Sequence, residues 1–256
     1  EVKQFAIYAN ERAIPSLVDG LKITQRKILY TMSKQPKNQE FKLSRISGVV
    51  SSLCSYHHGE DSISGAMVGL AQNYAGANNI NFLEPIGQFG NRLSPEAAAY
   101  RYIETKLSES FWKIFKKEDD CLLKYNLDDD GKEIEPSNFY PIIPPILING
   151  SMSMAVGYAN DISMYNPKEI ISNIELILNG KNPTKMTPWF KGFKGTVEKI
   201  GNQTTIKGVL KVVNSNTIEI TELPIGMYQS TFRELLAGTD TKDGLIDKGI
   251  VKTYED

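Results

Sequence analysis

The sequence contains one short run of residues with the chemistry of a phosphodiester nucleophile, Tyr100, Arg101 and Tyr102. A tyrosine hydroxyl can attack a phosphodiester and retain it as a covalent phosphotyrosyl intermediate. An ordinary phenol has a pKa of about 10, so it needs assistance at neutral pH. A neighbouring guanidinium can bind the phosphate and stabilise the transition state. Two tyrosines that flank an arginine are usually structural, so this run alone does not establish a nucleophile.

The two histidines of the chain, His57 and His58, are adjacent and follow Tyr56. They precede a helical pattern, and free backbone N–H groups and the helix dipole favour phosphate at a helix N-terminus. Two alternatives stay open at this stage. The histidines are either incidental residues at a helix entry or metal ligands, although neighbours on a helix point about 100° apart.

Three cations, Lys22, Arg26 and Lys27, have the spacing i, i+4, i+5. In a helix this spacing predicts one basic side, directed away from the apolar face of Ile28, Leu29 and Met32, which suits contact with a nucleic-acid backbone. The competing interpretation is an ordinary solvated helix face.

The segment 149–157 carries Met152 and Met154 between Gly150 and Gly157. An exposed apolar side chain on a tight loop can wedge between base steps and kink a duplex. The alternative is a loop that enters the core, with the methionines as gap-fillers.

An acidic run comprises Asp128, Asp129 and Asp130, followed by Glu133 and Glu135. Carboxylates of this kind can bind metal ions, but a cluster without ordered flanking elements has no fixed ligand geometry. We therefore expect a solvated surface loop.

The elements that must position these residues differ between the two halves of the chain. The first half has helical periodicity, clearest over 60–75, and its short helices, tight turns and basic face suggest a helix-turn-helix arrangement. Helices are predicted over 3–14, 15–32, 44–56, 60–75 and 167–180, a loop over 76–95, a helical or extended segment over 96–117 and a polar connector over 118–139. Strands are predicted over 194–200, 204–213 and 216–222, with a turn at 214–216.

Composition limits the class of protein. Hydrophobic residues make up 41% and charged residues 23% of 256 residues, which is typical of a folded protein. No apolar run approaches the about 18 residues that span a bilayer, and two cysteines give no disulfide framework. The net charge of -1 argues against nucleic-acid binding, but residues 1–58 have nine Lys/Arg against four Asp/Glu, whereas 59–140 have eight against fourteen.

The order and spacing of these motifs resemble the breakage-reunion region of the type IIA DNA topoisomerases. In amino-acid sequence, these motifs are more similar to eukaryotic and viral topoisomerase II than to bacterial gyrase. The similar stretches are 14–22, 25–30, 56–60, 69–73, 78–80, 89–90, 97–99, 101–103, 140–144, 148–150, 188–193, 195–198 and 220–224. The resemblance covers essentially the whole chain.

The resemblance implies roles for individual residues. Tyr102 matches the nucleophile and Arg101 its transition-state partner, whereas Tyr100 is structural. Met154 falls where the family has an intercalating isoleucine. The implied phosphate contacts are Lys22, Arg26, Lys27, His57, His58 and Ser62.

The resemblance further implies an α+β fold, with a helical winged-helix (helix-turn-helix) domain at 1–144 and an α+β tower domain at 145–256 that is incomplete at its C-terminus. Its implied activity is a transient double-strand break through 5′-phosphotyrosyl bonds, during ATP-dependent duplex passage by an isomerase. We expect double-stranded DNA and a second copy as partners, and no membrane. We also expect an intracellular location with DNA, in cytoplasm or nucleus, or in a host cell if the protein is viral.

The implied cofactors are Mg²⁺, held by a Toprim domain, and ATP, held by an ATPase domain. Neither domain has a signature in this sequence, so both are expected on a missing portion or on a separate subunit. Two other functions compete with this expectation. One is a non-catalytic winged-helix DNA-binding module with Tyr102 buried, and the other is a metal hydrolase that uses His57 and His58.

Overall fold

A computed structural model describes residues 1–200, 203–239 and 241–255, with the side chains of 199 and 200 undescribed. The chain forms two compact units. The first contains residues 1–89 and 97–191, and the second contains residues 90–96 and 192–256. The expected boundary at 144/145 lies inside the first unit by this division, and the winged-helix and tower assignments stay predictions. The α+β fold class is confirmed.

The helices of the first unit coincide with most of the predicted helical segments, but residues 15–22, 54–56 and 72–75 are not helical and helix α6, Pro145–Asn149, was not predicted. Helix α2 begins one residue after Lys22, whose backbone N–H donates to the Gln25 side chain over 2.9 Å. The helices are α1 Val2–Ala13, α2 Ile23–Ser33, α3 Leu43–Leu53, α4 Glu60–Ala71, α5 Glu109–Ile114, α6 Pro145–Asn149 and α7 Pro167–Leu178, with a 3₁₀ helix at Lys117–Leu122.

The core of the first unit lies between α2, α3 and α4. Ile28, Ile46, Ile63 and Met67 are fully buried there. Burial of each such side chain contributes about 1.5–3 kcal/mol, before the cost in conformational entropy. Helix α1, in contrast, contains no buried residue.

A three-stranded antiparallel sheet packs beside these helices. It consists of β1 Phe41–Lys42, β2 Leu83–Ile86 and β3 Glu104–Leu107, in the order β1-β3-β2. Its register pairs Leu83 with Leu107 and Phe41 with Thr105. Strand β2 lies in the segment 76–95, which was predicted to be a loop. The strand was missed because four residues that include a proline carry little periodic signal.

Two hairpins complete the first unit. Strands β4 Tyr125–Leu127 and β5 Glu133–Pro136 pair within the predicted polar connector. Strands β6 Ser151–Ala155 and β7 Tyr158–Ile162 pair around a turn at Gly157, which has φ of 74°.

The described residues of the second unit form two β-hairpins and one helix. The hairpins pair β8 Thr196–Ile200 with β9 Gln203–Lys207, and β10 Val209–Asn214 with β11 Thr217–Glu222. Helix α8 is Gln229–Ala237. The predicted strands and the turn near residues 214–216 are confirmed, except that the expected strand 204–213 is two strands. No helix among the described residues is long and apolar enough to cross a membrane.

Candidate functional site

The segment that carries Tyr102 is fixed to the start of α3 on both of its sides. The Ser44 amide donates to the Tyr100 carbonyl over 3.4 Å, and the Leu43 amide donates to the Ile103 carbonyl over 3.2 Å. Ile103 is buried, and β3 begins immediately afterwards. Tyr102 therefore sits on a short loop whose two ends are held by one helix.

The side chains at the tip of this loop have complementary chemistry. Tyr102 is 69% exposed, so its hydroxyl is accessible to a large substrate. The Arg101 guanidinium lies 4.8 Å from the centre of the Tyr102 ring, which is a cation–π geometry. Tyr100 packs against the core, as expected for a structural residue. A phosphate held near the Tyr102 hydroxyl would lie close to a permanent positive charge.

The two histidines are exposed, and His58 contacts aromatic residues from two segments. The Tyr8 hydroxyl of α1 is hydrogen bonded to Nε2 of His58. The Tyr56 ring lies edge-on to the His58 ring at 5.3 Å between centres. Desolvation lowers the pKa of His58, and the nearby charges of Arg12 and His57 lower it further.

Ser62 belongs to a polar network that joins three helices. Its hydroxyl lies 2.9 Å from the Tyr56 hydroxyl and accepts a hydrogen bond from Arg12 over 3.3 Å. The Tyr56 hydroxyl also lies 3.3 Å from the Thr24 hydroxyl at the start of α2. Burial raises the pKa of Tyr56, but these hydrogen bonds outweigh that effect and leave the pKa below its ordinary value.

Arg12 is a site residue that the sequence alone did not single out. It lies at the end of α1, and its partner Ser62 is 50 residues further along the chain. The only signal for it in the sequence is its positive charge, on the helix that precedes the basic cluster of α2. Its guanidinium adds a charge beside His58 and Ser62.

Arg26 and Lys27 do not form the exposed basic face that their spacing predicts. The Arg26 guanidinium makes a two-point ion pair with buried Asp19, with distances of 2.7 and 3.0 Å. The Lys27 ammonium lies 2.8 Å from a carboxylate oxygen of buried Glu135. The expectation of one solvated side is wrong for both residues, because carboxylates from other segments reach into the core to neutralise them.

Lys22 differs from the two cations that follow it. It is half-buried at the start of α2, and burial lowers its pKa. It therefore retains some solvent access, which Arg26 and Lys27, at 4% and 8% exposure, do not.

Met154 lies on the outward face of the β6–β7 hairpin. It is 85% exposed, and Met152 on the same face is 78% exposed, whereas Ser153 between them is buried. The hairpin is attached to α1 because Asn10 donates to the Val156 carbonyl over 3.1 Å. This geometry fits an apolar wedge better than a loop that enters the core.

The acidic run does not form a metal site in the part of the chain that the structure describes, where no group of three or more potential ligands occurs. Asp128 accepts hydrogen bonds from the amides of Asp130 and Lys132 and so shapes the turn between β4 and β5. The expected surface loop is correct for this turn and wrong for Glu135, which is buried.

Comparison with known proteins identifies the family. The family of the DNA gyrase/topoisomerase IV A-subunit matches residues 12–256. This chain belongs to that DNA gyrase/topoisomerase IV family. The resemblance to type IIA topoisomerases is thereby confirmed.

Individual members of the wider topoisomerase group are similar over nearly the whole chain. DNA topoisomerase 2 of Arabidopsis thaliana is 44% identical over 263 residues, which cover 100% of this chain and 18% of the relative. DNA topoisomerase 2-beta of Homo sapiens is 44% identical over 254 residues, covering 96% of this chain and 16% of the relative. The chain thus spans less than a fifth of the length of these relatives.

A solved structure supports the same assignment to the DNA gyrase/topoisomerase IV family. It is the Plasmodium falciparum topoisomerase II DNA-binding, cleavage and re-ligation domain, with a TM-score of 0.87 and 42% identity. The match covers 91% of this chain and 32% of that chain.

Proposed function

We propose that this chain is the DNA cleavage and religation core of a type II topoisomerase, with Tyr102 as the nucleophile. One observation carries the proposal: an exposed tyrosine, with a guanidinium 4.8 Å from its ring, sits on a loop fixed at both ends. A general DNA-binding surface has no need of a tyrosine presented in this way. Membership of the family supports the same activity.

The reaction is a transesterification that conserves the number of phosphodiester bonds. The Tyr102 hydroxyl attacks a backbone phosphorus, loses its proton and forms a 5′-phosphotyrosyl bond, while the bond from phosphorus to the 3′ oxygen breaks. The released 3′ oxygen takes up a proton, and its later attack reverses the step. Arg101 binds a non-bridging phosphate oxygen and stabilises the charge that develops there. A second copy cuts the opposite strand, and another duplex passes through the break.

DNA contacts are proposed for residues around the Arg12 and His58 cluster. Lys22, His57, His58 and Ser62 contact the phosphates, and Met154 wedges between base steps. Arg26 and Lys27 stay predicted contacts. To reach a phosphate, each would have to leave a buried carboxylate in this structure.

The metal and nucleotide of this reaction are assigned to other parts of the enzyme. Among the described residues, no group of three or more His, Cys, Asp or Glu side chains could hold a metal ion. We propose that a Toprim domain holds Mg²⁺ and an ATPase domain holds ATP, on the same polypeptide or on a separate subunit. We further propose that residues 1–144 are a winged-helix domain and 145–256 a tower domain, that two copies form the gate, and that the enzyme works with DNA inside the cell.

The test is a pair of substitutions at neighbouring tyrosines, in enzyme reconstituted with its Toprim and ATPase parts. Tyr102→Phe removes the nucleophilic oxygen, so we expect covalent protein–DNA adducts to disappear while DNA affinity changes less than about twofold. Tyr100→Phe is the matched control and should retain adduct formation. Denaturing gels with labelled duplex measure the adducts.

Two results would contradict this proposal. Adducts that persist in Tyr102→Phe would show that another residue is the nucleophile. Tight DNA binding without any adduct in the unsubstituted enzyme would favour the alternative, a non-catalytic winged-helix module.

A further inference from the structure

Helix α1 contributes polar side chains to the site although it buries none of its own residues. Its residues Tyr8, Asn10 and Arg12 each form a hydrogen bond with a different element. Tyr8 bonds to His58, Asn10 to the Val156 carbonyl and Arg12 to Ser62. A helix held mainly by contacts of this kind is placed to orient its partners, and Tyr8 has the most specific chemistry among them.

The bond between the Tyr8 hydroxyl and Nε2 of His58 links Tyr8 to the choice of imidazole tautomer, because each arrangement of the bond suits one tautomer. A phenol O–H can donate a hydrogen bond to an imidazole nitrogen or accept one from an imidazole N–H. If the phenol donates and Nε2 of His58 accepts, the proton of a neutral imidazole is on Nδ1. Nδ1–H is then available as a donor, because the residue is exposed.

The groups that face His58 favour the same neutral form. The charged or titratable neighbours are Tyr8 and Arg12 from α1, and Tyr56 and His57 from its own segment. Arg12 is a permanent cation, and a protonated His57 would be a second one. A positive charge on His58 would be repelled by both.

We propose that Tyr8 is a positioning residue that holds His58 as the neutral Nδ1–H tautomer, which gives a DNA phosphate a hydrogen bond without a positive charge. The inference rests on the proposed function for its ligand, a phosphodiester backbone. Neutral His58 and cationic Lys22 would then contact DNA with different salt dependence, since only a cation releases a counterion on binding.

The first experiment measures the imidazole directly and needs no DNA. The chain has two histidines, so ¹⁵N spectra of the free protein during a pH titration separate His57 from His58. We expect His58 to show the Nδ1–H pattern at neutral pH and to titrate below the ordinary pKa of a histidine. In Tyr8→Phe, which keeps the ring and removes the hydroxyl, the neutral form loses its donor.

For Tyr8→Phe we therefore expect the pKa of His58 to rise by about half a pH unit or more, with the Nδ1–H preference lost. His57 in the same spectrum is the internal control. Tyr125→Phe, which removes a phenol packed beside Tyr30, is the matched variant and should change neither histidine. An unchanged His58 tautomer and pKa in Tyr8→Phe would overturn the proposal, whether or not the chain cleaves DNA.

The second experiment measures affinity for a short DNA duplex against salt concentration at neutral pH. His58→Ala should weaken binding with the slope of log K against log salt unchanged, whereas Lys22→Ala should reduce the slope by about one. A slope reduced by about one in His58→Ala would overturn the neutral tautomer. Absence of adducts in the unsubstituted enzyme would count against the proposed function alone, because neither histidine readout depends on cleavage.

Discussion

At the scale of single residues, the ion pairs of α2 show how one cluster of cations can serve two purposes. Lys22 stays half-exposed, whereas Arg26 and Lys27 each neutralise a buried carboxylate. The Lys27 ammonium also donates to the Cys54 carbonyl over 2.7 Å, so it ties α2 to the end of α3 as well as to β5. Two of the three cations therefore stabilise the fold that presents the third.

This division predicts a large stability effect at Glu135. Glu135→Ala leaves the Lys27 charge buried without its partner, which typically costs about 3–5 kcal/mol in the free energy of unfolding. Glu133→Ala, two residues away at an exposed position, is the matched control and should change it by about 0.5 kcal/mol at most. Urea unfolding followed by circular dichroism measures both. Similar values for the two variants would show that the buried pair has no special role.

At the scale of elements, the β6–β7 hairpin presents two methionines on one face while its other face is partly buried. Cross-strand pairing places Met154 opposite Ala159 and Met152 opposite Asp161. Because Ala159 is small, the Met154 side chain projects beyond its neighbour across the strand. The hydrogen bond from Asn10 attaches the hairpin to α1, the helix that also contacts His58 and Ser62.

From the exposed position of Met154 on this hairpin, we predict that Met154→Ala impairs DNA bending and not DNA affinity alone. Met154→Ala removes the wedge, and we expect the bend angle to fall by roughly tens of degrees, since wedging side chains produce kinks of about 20–90°. Fluorescence energy transfer across an end-labelled duplex measures the bend. Leu178→Ala, an exposed apolar position on α7, is the control. An unchanged bend in Met154→Ala would assign that role to another residue.

The sequence predicted the helices well because their signal is local. Periods of three and four residues in α3, α4 and α7 are set by neighbours within the same segment. The hairpin strands β4 to β7 were not predicted, since strands of three to five residues with polar or proline positions carry weak periodicity. The ion pair of Lys27 was not predictable from the pattern, because Glu135 lies 108 residues away in sequence.

At the scale of the whole molecule, the charge distribution has to be corrected for burial. The surplus of positive charge in residues 1–58 includes Arg26 and Lys27, whose charges are neutralised inside the fold. The cations of that segment that remain near the site include Arg12 and Lys22. Without Arg26, Lys27 and Asp19, residues 1–58 keep seven Lys/Arg against three Asp/Glu, so the positive surplus of this segment persists after the correction for burial.

The two compact units are expected to differ in resistance to proteolysis. Leu236 is the one large apolar side chain that is buried among the described residues of the second unit, whereas the first unit has an extended core. A thin core gives low local stability, so trypsin should cut first between residues 192 and 255. Mass spectrometry identifies the sites, and chymotrypsin controls for sequence preference. Initial cuts in α2, α3 or α4 would contradict this prediction.

The attachment of the Tyr102 loop to α3 has a mechanical consequence. If Tyr102 holds a cleaved strand, any tension on that strand acts on the loop. The amides of Leu43 and Ser44 hold the carbonyls on either side of the loop, so the load passes into the backbone of α3 within two residues. Because this attachment is short, it limits the movement of the broken DNA end. The phosphorus thus stays within reach of the 3′-hydroxyl that must rejoin it.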